Sequence, residues 1–267
     1  MQDHRLHPAP LRRRELFKKV IALRDEGRLF DLGDAYLSGV WNGSVDRFVE
    51  ICLRLEGARR VLDVGAGHGL LVTLLRALGH ECCAVDIAPA VPLEFFGKQG
   101  IEFKSCNAEV DSLPYDGSSF DAVVCCQVLE HFSHSHLPAV REMHRVLRPG
   151  GLVEIDVPNV ACFRNVSRLL RGKNITWDYE KSYLLAEPIL YAGRSFYPDR
   201  HNREFTRQEL GALLRMAGFS KVQVLFLQDR NYRVGLARLR SLGSTLRDMV
   251  PRYRKSLMGL GVKEEGR

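Results

Sequence analysis

No run in this sequence approaches the roughly 18 consecutive apolar residues needed to cross a bilayer. Near the N-terminus, Arg12-Arg13-Arg14 leads into no apolar stretch, so neither a membrane span nor a secretory leader is expected. The seven cysteines (Cys52, Cys82, Cys83, Cys106, Cys125, Cys126 and Cys162) include no Cys-x-x-Cys pair and lie mostly inside apolar runs. They offer no zinc site and point to reduced thiols in a cytoplasmic protein. Internal repeats and low-complexity tracts are also missing. With 45% hydrophobic residues over 267 positions, the chain can bury a core, which excludes disorder over most of its length. Acidic charge is scarce only at the ends. Met1 to Phe30 holds eight basic against four acidic residues and Arg230 to Arg267 ten against three, whereas Asp31 to Asp229 holds 21 against 25. The net +7 therefore describes a mildly acidic body with two basic ends.

What is present is a regular alternation of strands and helices. Val45, Phe48, Val49, Cys52 and Leu55 recur at helical spacing. Short apolar runs read as strands at 60–64, 81–86, 101–105, 120–126, 152–157, 221–227 and, more weakly, 256–262. Helices are expected at 70–78, in a short stretch to Gln99, at 137–147 and at 206–216. The last opens with a capping box, Thr206 and Glu209. Arg148-Pro149-Gly150-Gly151 reads as the turn between the 137–147 helix and the next strand. Such an alternation predicts an α/β fold with a parallel sheet covered on both faces. Residues 159–205 break the rhythm and read as an insertion with a single helix, 162–170, and no sheet. Residues 1–44 read as an N-terminal helical segment ahead of the main domain, 45–267.

The most informative stretch is Val61-Leu62-Asp63-Val64-Gly65-Ala66-Gly67-His68-Gly69-Leu70. A strand running into three glycines at alternate positions and then a helix brings bare backbone and helix-terminal N–H groups to the end of the first strand, where an open α/β sheet binds its ligand. The dinucleotide fingerprint Gly-x-Gly-x-x-Gly fails here, because Leu70 occupies its last position. Asp86 closes the next strand about 20 residues on. Cys106-Asn107-Ala108-Glu109, Gln127-Val128-Leu129-Glu130-His131 and Arg148-Pro149-Gly150-Gly151 follow in order.

Over Leu55 to Phe226 this series resembles the class I S-adenosylmethionine-dependent methyltransferases. The resemblance implies a Rossmann-like, doubly wound, seven-stranded, mostly parallel sheet whose last strand is antiparallel, with an insertion covering the substrate. It implies S-adenosylmethionine as cofactor and S-adenosylhomocysteine as product. Asp63, Gly65, Ala66, Gly67 and Gln127 would meet the methionine part of the cofactor. Asp86, with Ile87 beside it, would accept from the ribose hydroxyls, and Asn107 and Ala108 would meet adenine. Asn107 stands where the family usually has Asp.

Methyl transfer from a sulfonium requires mainly that nucleophile and methyl be held in line, and a hydroxyl nucleophile also has to lose its proton. His131, at the end of the fourth strand, is the first candidate base, and Glu130 would orient it or contact substrate. His201, in the segment His201-Asn202-Arg203-Glu204-Phe205-Thr206, is the second. The run His131-Phe132-Ser133-His134-Ser135-His136 invites a metal-site reading, but a solvated loop with Ser133 or Ser135 as helix cap is favoured and no required metal is expected. Trp177, Tyr179, Tyr183, Tyr191, Phe196 and Tyr197, with Arg164, Arg168, Arg171 and Arg194, would make the insertion a lid for an aromatic or sugar-bearing acceptor. Tyr36 and Trp41 would help close the cofactor site.

The reading favoured is an O-methyltransferase acting on a sugar, polyketide or quinone-like small molecule, as a monomer or homodimer. A nucleic-acid or protein methyltransferase is the first alternative. It is disfavoured because no nucleic-acid-reading module and no base-methylating signature is present. A cofactor-binding scaffold without turnover is the second. The basic segment 230–255 could rest on the inner membrane face, although a solvated or dimer-forming face is favoured.

Overall fold

Burial on both faces turns the apolar runs of this sequence into strands. The computed structural model describes residues 10–27, 29, 35–176, 178–198, 200–227 and 249–264. Two helices, α1 (Pro10–Asp25) and α2 (Ala35–Arg54), precede the sheet and are tied together by the ion pair of Arg13 with Glu50 at 2.9 Å. Strands β1 (Arg60–Val64), β2 (Glu81–Asp86), β3 (Glu102–Ser105), β4 (Phe120–Cys126) and β5 (Leu147–Pro158) then run parallel. They alternate with α3 (Leu70–Ala77), α4 (Leu93–Lys98) and α5 (His136–Val146). After an excursion comprising α6 (Phe163–Leu170), β6 (Ile189–Tyr191) and β7 (Arg194–Phe196), α7 (Arg207–Met216) leads into β8 (Ser220–Phe226) and β9 (Ser256–Val262). The sheet order is β3-β2-β1-β4-β5-β9-β8, with β9 antiparallel to both neighbours. This is the Rossmann-like, mostly parallel seven-stranded arrangement that the sequence implied. The core lies on both faces, with α1, α2 and α3 against one and α5 and α7 against the other.

Three local readings change. The excursion is not without sheet: Ile189–Tyr191 pairs with Arg194–Phe196 in an antiparallel hairpin. Its two-residue turn takes positive φ at both positions, Ala192 at 47° and Gly193 at 74°. Paired left-handed residues match the twist of the flanking strands, and three-residue strands are too short for alternation to show in sequence. Arg148-Pro149-Gly150-Gly151 belongs to β5 itself, which pairs Leu147 with Phe120 before a register shift. A Cβ at Gly151 would lie 2.8 Å from the Arg148 carbonyl, so this bulge accepts only glycine there. Trp41 is fully buried in α2, packed 6.1 Å from Phe48, and belongs to the core. Helix α2 also runs unbroken through residue 45.

Trp177 and residues 228–248, most of the basic segment, lie outside the described residues. Among the described residues no helix is long and apolar enough to cross a membrane. All seven cysteines are free thiols.

Candidate active site

The strand order reverses between β1 and β4, and a doubly wound sheet opens its ligand crevice at that point, beyond the carboxyl ends of the strands. The loop leaving β1 folds back over β2, with the Gly65 and Ala66 N–H groups donating to the Val85 carbonyl at 2.8 and 3.2 Å. Gly65 has φ 80°, and a Cβ there would lie 2.3 Å from Val128 Cγ2. Gly69 has φ 69°, and its Cβ would meet the Phe95 ring at 2.8 Å. Both positions thus need glycine for conformation and for space. At Gly67 a Cβ would meet nothing within 4 Å, so that side of the loop opens into a cavity.

That cavity, of about 450 Å³, is lined by Gly65, Gly67, Asp86, Ile87, Asn107, Ala108 and Gln127, seven of the nine residues expected to hold the cofactor. Asp63 and Ala66 line an adjoining cavity of about 210 Å³, which shares Gly65, Gly67 and Gln127 with the first. Asp86 Oδ2 accepts from the Gly67 N–H and Oδ1 from the Ala88 N–H, each at 2.8 Å. The carboxylate is thereby held at the rim with lone pairs left for further donors. The Asn107 N–H donates to Asp111 Oδ2 at 3.1 Å and its Oδ1 accepts from Glu109 N, also at 3.1 Å. Its buried Nδ2 has no partner. Gln127 takes a left-handed φ of 57° at the end of β4, with its side-chain amide donating to Asp156 Oδ1 and its N–H to the Asp156 carbonyl at 2.8 Å. Non-glycine residues rarely hold that conformation, and surrounding bonds must enforce it.

Beneath the smaller cavity, β1, β4 and β5 place Asp63, Val124 and Glu154 in one row, with Asp156 two residues beyond Glu154 on the same face. Burial, together with the charge of Asp86, pushes the Asp63 carboxyl up to about 7. Burial, and then Asp156, raises Glu154 well above the usual carboxylate range. Arg47 of α2 approaches Asp156 Oδ2 at 3.7 Å and lines the smaller cavity with Ser44. Sequence reading missed both residues. Its available signal was a charged side chain interrupting the apolar spacing of Val45, Phe48 and Val49.

At the other end of the crevice, Leu129–His131 forms a single 3-10 turn after β4. The Glu130 carboxyl is fully buried, neither oxygen has a hydrogen-bond partner, and burial pushes it up to about 8. The Arg200–Arg203 segment, about 70 residues downstream, is bonded to this turn. Asn202 N and Arg203 N donate to the Glu130 carbonyl at 2.7 and 3.2 Å, Asn202 Nδ2 donates to the His131 carbonyl at 2.8 Å, and His131 Nδ1 donates to the Arg200 carbonyl at 2.9 Å. The rings of His131 and His201 meet edge to face, 4.9 Å apart. His131 lines the 450 Å³ cavity, and His201 lines a larger one of about 830 Å³ together with Tyr36 and Tyr183. The three expected catalytic residues are therefore brought together. His134 and His136 turn elsewhere, to Glu109 Oε1 at 2.6 Å and to the Leu129 carbonyl at 2.9 Å, while Ser135 caps α5.

The insertion contributes differently from its expected role. Arg164 pairs with Glu204 at 3.3 Å, Arg168 donates to the carbonyls of Asn174 and Thr176, and Arg171 donates to that of Ser167, so these guanidinium groups serve the insertion itself. Ile189, Phe196 and Tyr197, from the hairpin and the residue after it, form one wall of the cofactor-side cavity, and Tyr191 bonds Asp111. Tyr36 packs against His68 with ring centroids 5.5 Å apart.

Residues 34–224 match a family model described as a methyltransferase domain. A ubiquinone biosynthesis O-methyltransferase from Xanthomonas oryzae pv. oryzae is 34% identical over 117 residues, covering 42% of this chain and 48% of that protein. A demethylmenaquinone methyltransferase from Thermus thermophilus is 33% identical over 118 residues, 42% of this chain and 53% of that protein. The chain thus spans about half the length of the curated relatives it matches. Among solved structures, a SAM-dependent methyltransferase from Thermotoga maritima, described as a possible histamine N-methyltransferase, superposes with TM-score 0.55 at 19% identity. It covers 94% of this chain and 99% of that one, which establishes likeness of fold.

Proposed function

Because the chain belongs to the S-adenosylmethionine-dependent methyltransferases, we propose that it moves a methyl group from that cofactor to a hydroxyl oxygen of a small-molecule acceptor. The residues present suit the cofactor. Asn107 Nδ2 is a buried donor without a partner, Asp63 Oδ1 a buried acceptor without one, and the open side of Gly67 leaves backbone accessible. Asp86 would accept from the ribose hydroxyls, Asn107 Nδ2 would donate to adenine with Ala108 and Ile87 beside it, and Asp63, Gly65, Ala66 and Gln127 would surround the methionine end. When bound, the cofactor supplies a methyl on sulfonium sulfur. The acceptor oxygen bonds to the methyl carbon as the carbon–sulfur bond breaks, and its electron pair stays on sulfur.

The residues of the chain then have two tasks. Gln127 and the glycine loop fix the position of the methyl, so that attack is in line. His131 and His201 line the cavities that would receive the acceptor and take the proton its hydroxyl gives up, while the buried Glu130 sits behind them. The observation that carries this reading is the edge-to-face pair of histidines: one ring lines the cofactor-side cavity and the other the larger cavity, which puts two imidazoles side by side between a cofactor space and an acceptor space. The relatives named for ubiquinone and menaquinone methylation support a quinone-like acceptor, and sugars and polyketides remain in the same chemical class of hydroxyl donors.

Incubating the full chain with S-adenosylmethionine and a panel of phenols, sugars and polyketides tests this. The expected result is S-adenosylhomocysteine together with an O-methylated product, both lost in His131→Ala. Methyl recovered only on nitrogen or carbon, or no product with a cofactor that binds tightly, would contradict it.

A further inference from the structure

We propose that Glu130, His131 and His201 form a binding site for a divalent transition-metal ion such as zinc, between the cavity lined by His131 and the cavity lined by His201. Their ligand atoms already lie within 4.8 Å of one another. Donors around tetrahedral zinc, with bonds near 2.1 Å, stand about 3.4 Å apart, so closing the site takes at most about 1.4 Å of side-chain movement. Two imidazole nitrogens and one carboxylate are a donor set that zinc and other transition metals occupy with a coordination position left for water or substrate.

Four features separate this arrangement from a chance meeting of polar groups. Glu130 is a fully buried carboxyl with both oxygens unpartnered, a condition costly to maintain unless a ligand satisfies it. His131 Nδ1 must carry the proton, because its partner, the Arg200 carbonyl, can only accept. That tautomer puts the lone pair on Nε2, and a backbone carbonyl behind a metal-ligating histidine is the usual outer support. The four bonds from residues 200–203 to the Glu130–His131 turn hold His201 in register with it across about 70 residues of chain. Glu204, its carboxylate largely buried, stands with Oε1 3.9 Å from His201 Nδ1. By contrast, the neighbouring His134 and His136 are bonded to Glu109 and Leu129 and turn away, so the local run of histidines is not the site. The sequence reading expected no required metal because it weighed only the local run His131–His136, with Glu130 its one nearby carboxylate, whereas His201 comes from the far end of the insertion.

The use of the ion rests on the proposed O-methyl transfer, with the histidines then serving as ligands in place of the base: a cation there would hold the acceptor oxygen and acidify its hydroxyl, whose proton leaves to water in the larger cavity. Binding itself is tested without turnover. The full chain, stripped with chelator and dialysed, is titrated with Co²⁺, followed by visible absorption, and with Zn²⁺, followed by calorimetry. One equivalent is expected to bind, with a cobalt spectrum of low coordination number. Glu130→Gln, His131→Gln and His201→Ala should each weaken binding by about tenfold or more, a loss at least as large as that caused by removing an outer support. His134→Gln and His136→Gln should leave it unchanged. Thermal melts of all variants without metal confirm folding, and the rise in Tm on adding Zn²⁺ should be smaller in the three cluster variants than in the wild type and the two controls. Absence of stoichiometric binding, or binding that persists in all three cluster variants, would overturn the proposal, whatever acceptor the enzyme is found to use.

Discussion

Asp63 and Glu130 are carboxyl groups that burial, with the charge of Asp86 beside Asp63, pushes up in the folded chain to about 7 and about 8 respectively. In the unfolded chain both ionise near pH 4. As pH rises from about 4 towards the folded values, the unfolded state therefore gains ionisation free energy that the native state cannot match. Stability of the ligand-free protein should fall between about pH 5 and pH 8, while the carboxylates held low, Asp121, Glu142 and Glu209, contribute a constant amount over that range. Denaturant titrations at several pH values check this, and Asp63→Asn or Glu130→Gln should each flatten the decline. The glycine loop makes a second prediction. Gly65→Ala adds a methyl 2.3 Å from Val128 Cγ2 at a φ of 80°, and the left-handed conformation alone costs ~1–2 kcal/mol. The variant should melt lower and bind cofactor poorly, and adding Val128→Ala should recover part of the stability but not the strain. At this scale the conformation of the glycine loop was legible in the sequence, because Gly65 and Gly69 act through local backbone geometry. Arg47 and the meeting of His201 with Glu130 were not, because they depend on tertiary approach.

Among the elements, the buried strands β1, β2, β4 and β5 were readable as short apolar runs, and α7 as a capping box. Thr206 Oγ1 accepts from Glu209 N at 3.2 Å, and Glu209 Oε2 accepts from Thr206 N at 2.8 Å. Thr206→Ala should cost ~1 kcal/mol of stability without altering cofactor affinity, since α7 packs against β8 and β9, away from the crevice. The β6–β7 hairpin escaped sequence reading, yet it roofs the cofactor-side cavity. Its Tyr191 hydroxyl bonds Asp111 Oδ2, the same oxygen that receives the Asn107 N–H. Tyr191→Phe should leave Tm nearly unchanged and speed release of S-adenosylhomocysteine several-fold, in keeping with loss of ~1 kcal/mol at a part-exposed bond. Stopped-flow displacement of the product measures it; an unchanged release rate would mean that the hairpin does not secure the adenosine end.

For the molecule as a whole, strand alternation and motif order carried the seven-stranded architecture, because sheet topology in α/β chains follows closely from the sequence of βαβ units. The placement of function came from the fold. The net positive charge that first characterised the sequence lies at its ends, whereas the crevice sits over a row of buried carboxyls, Asp63, Glu154 and Asp156. The central claim is that this crevice holds S-adenosylmethionine, with Asp86 on the ribose. Calorimetric titration of the full chain with the cofactor, alongside Asp86→Ala, tests it most directly. Charge-assisted hydrogen bonds are each worth ~1.5–3 kcal/mol. One cofactor should therefore bind per wild-type chain, and affinity in the variant should drop by at least about tenfold. Equal affinity in both proteins, or no binding to the wild type, would contradict the account.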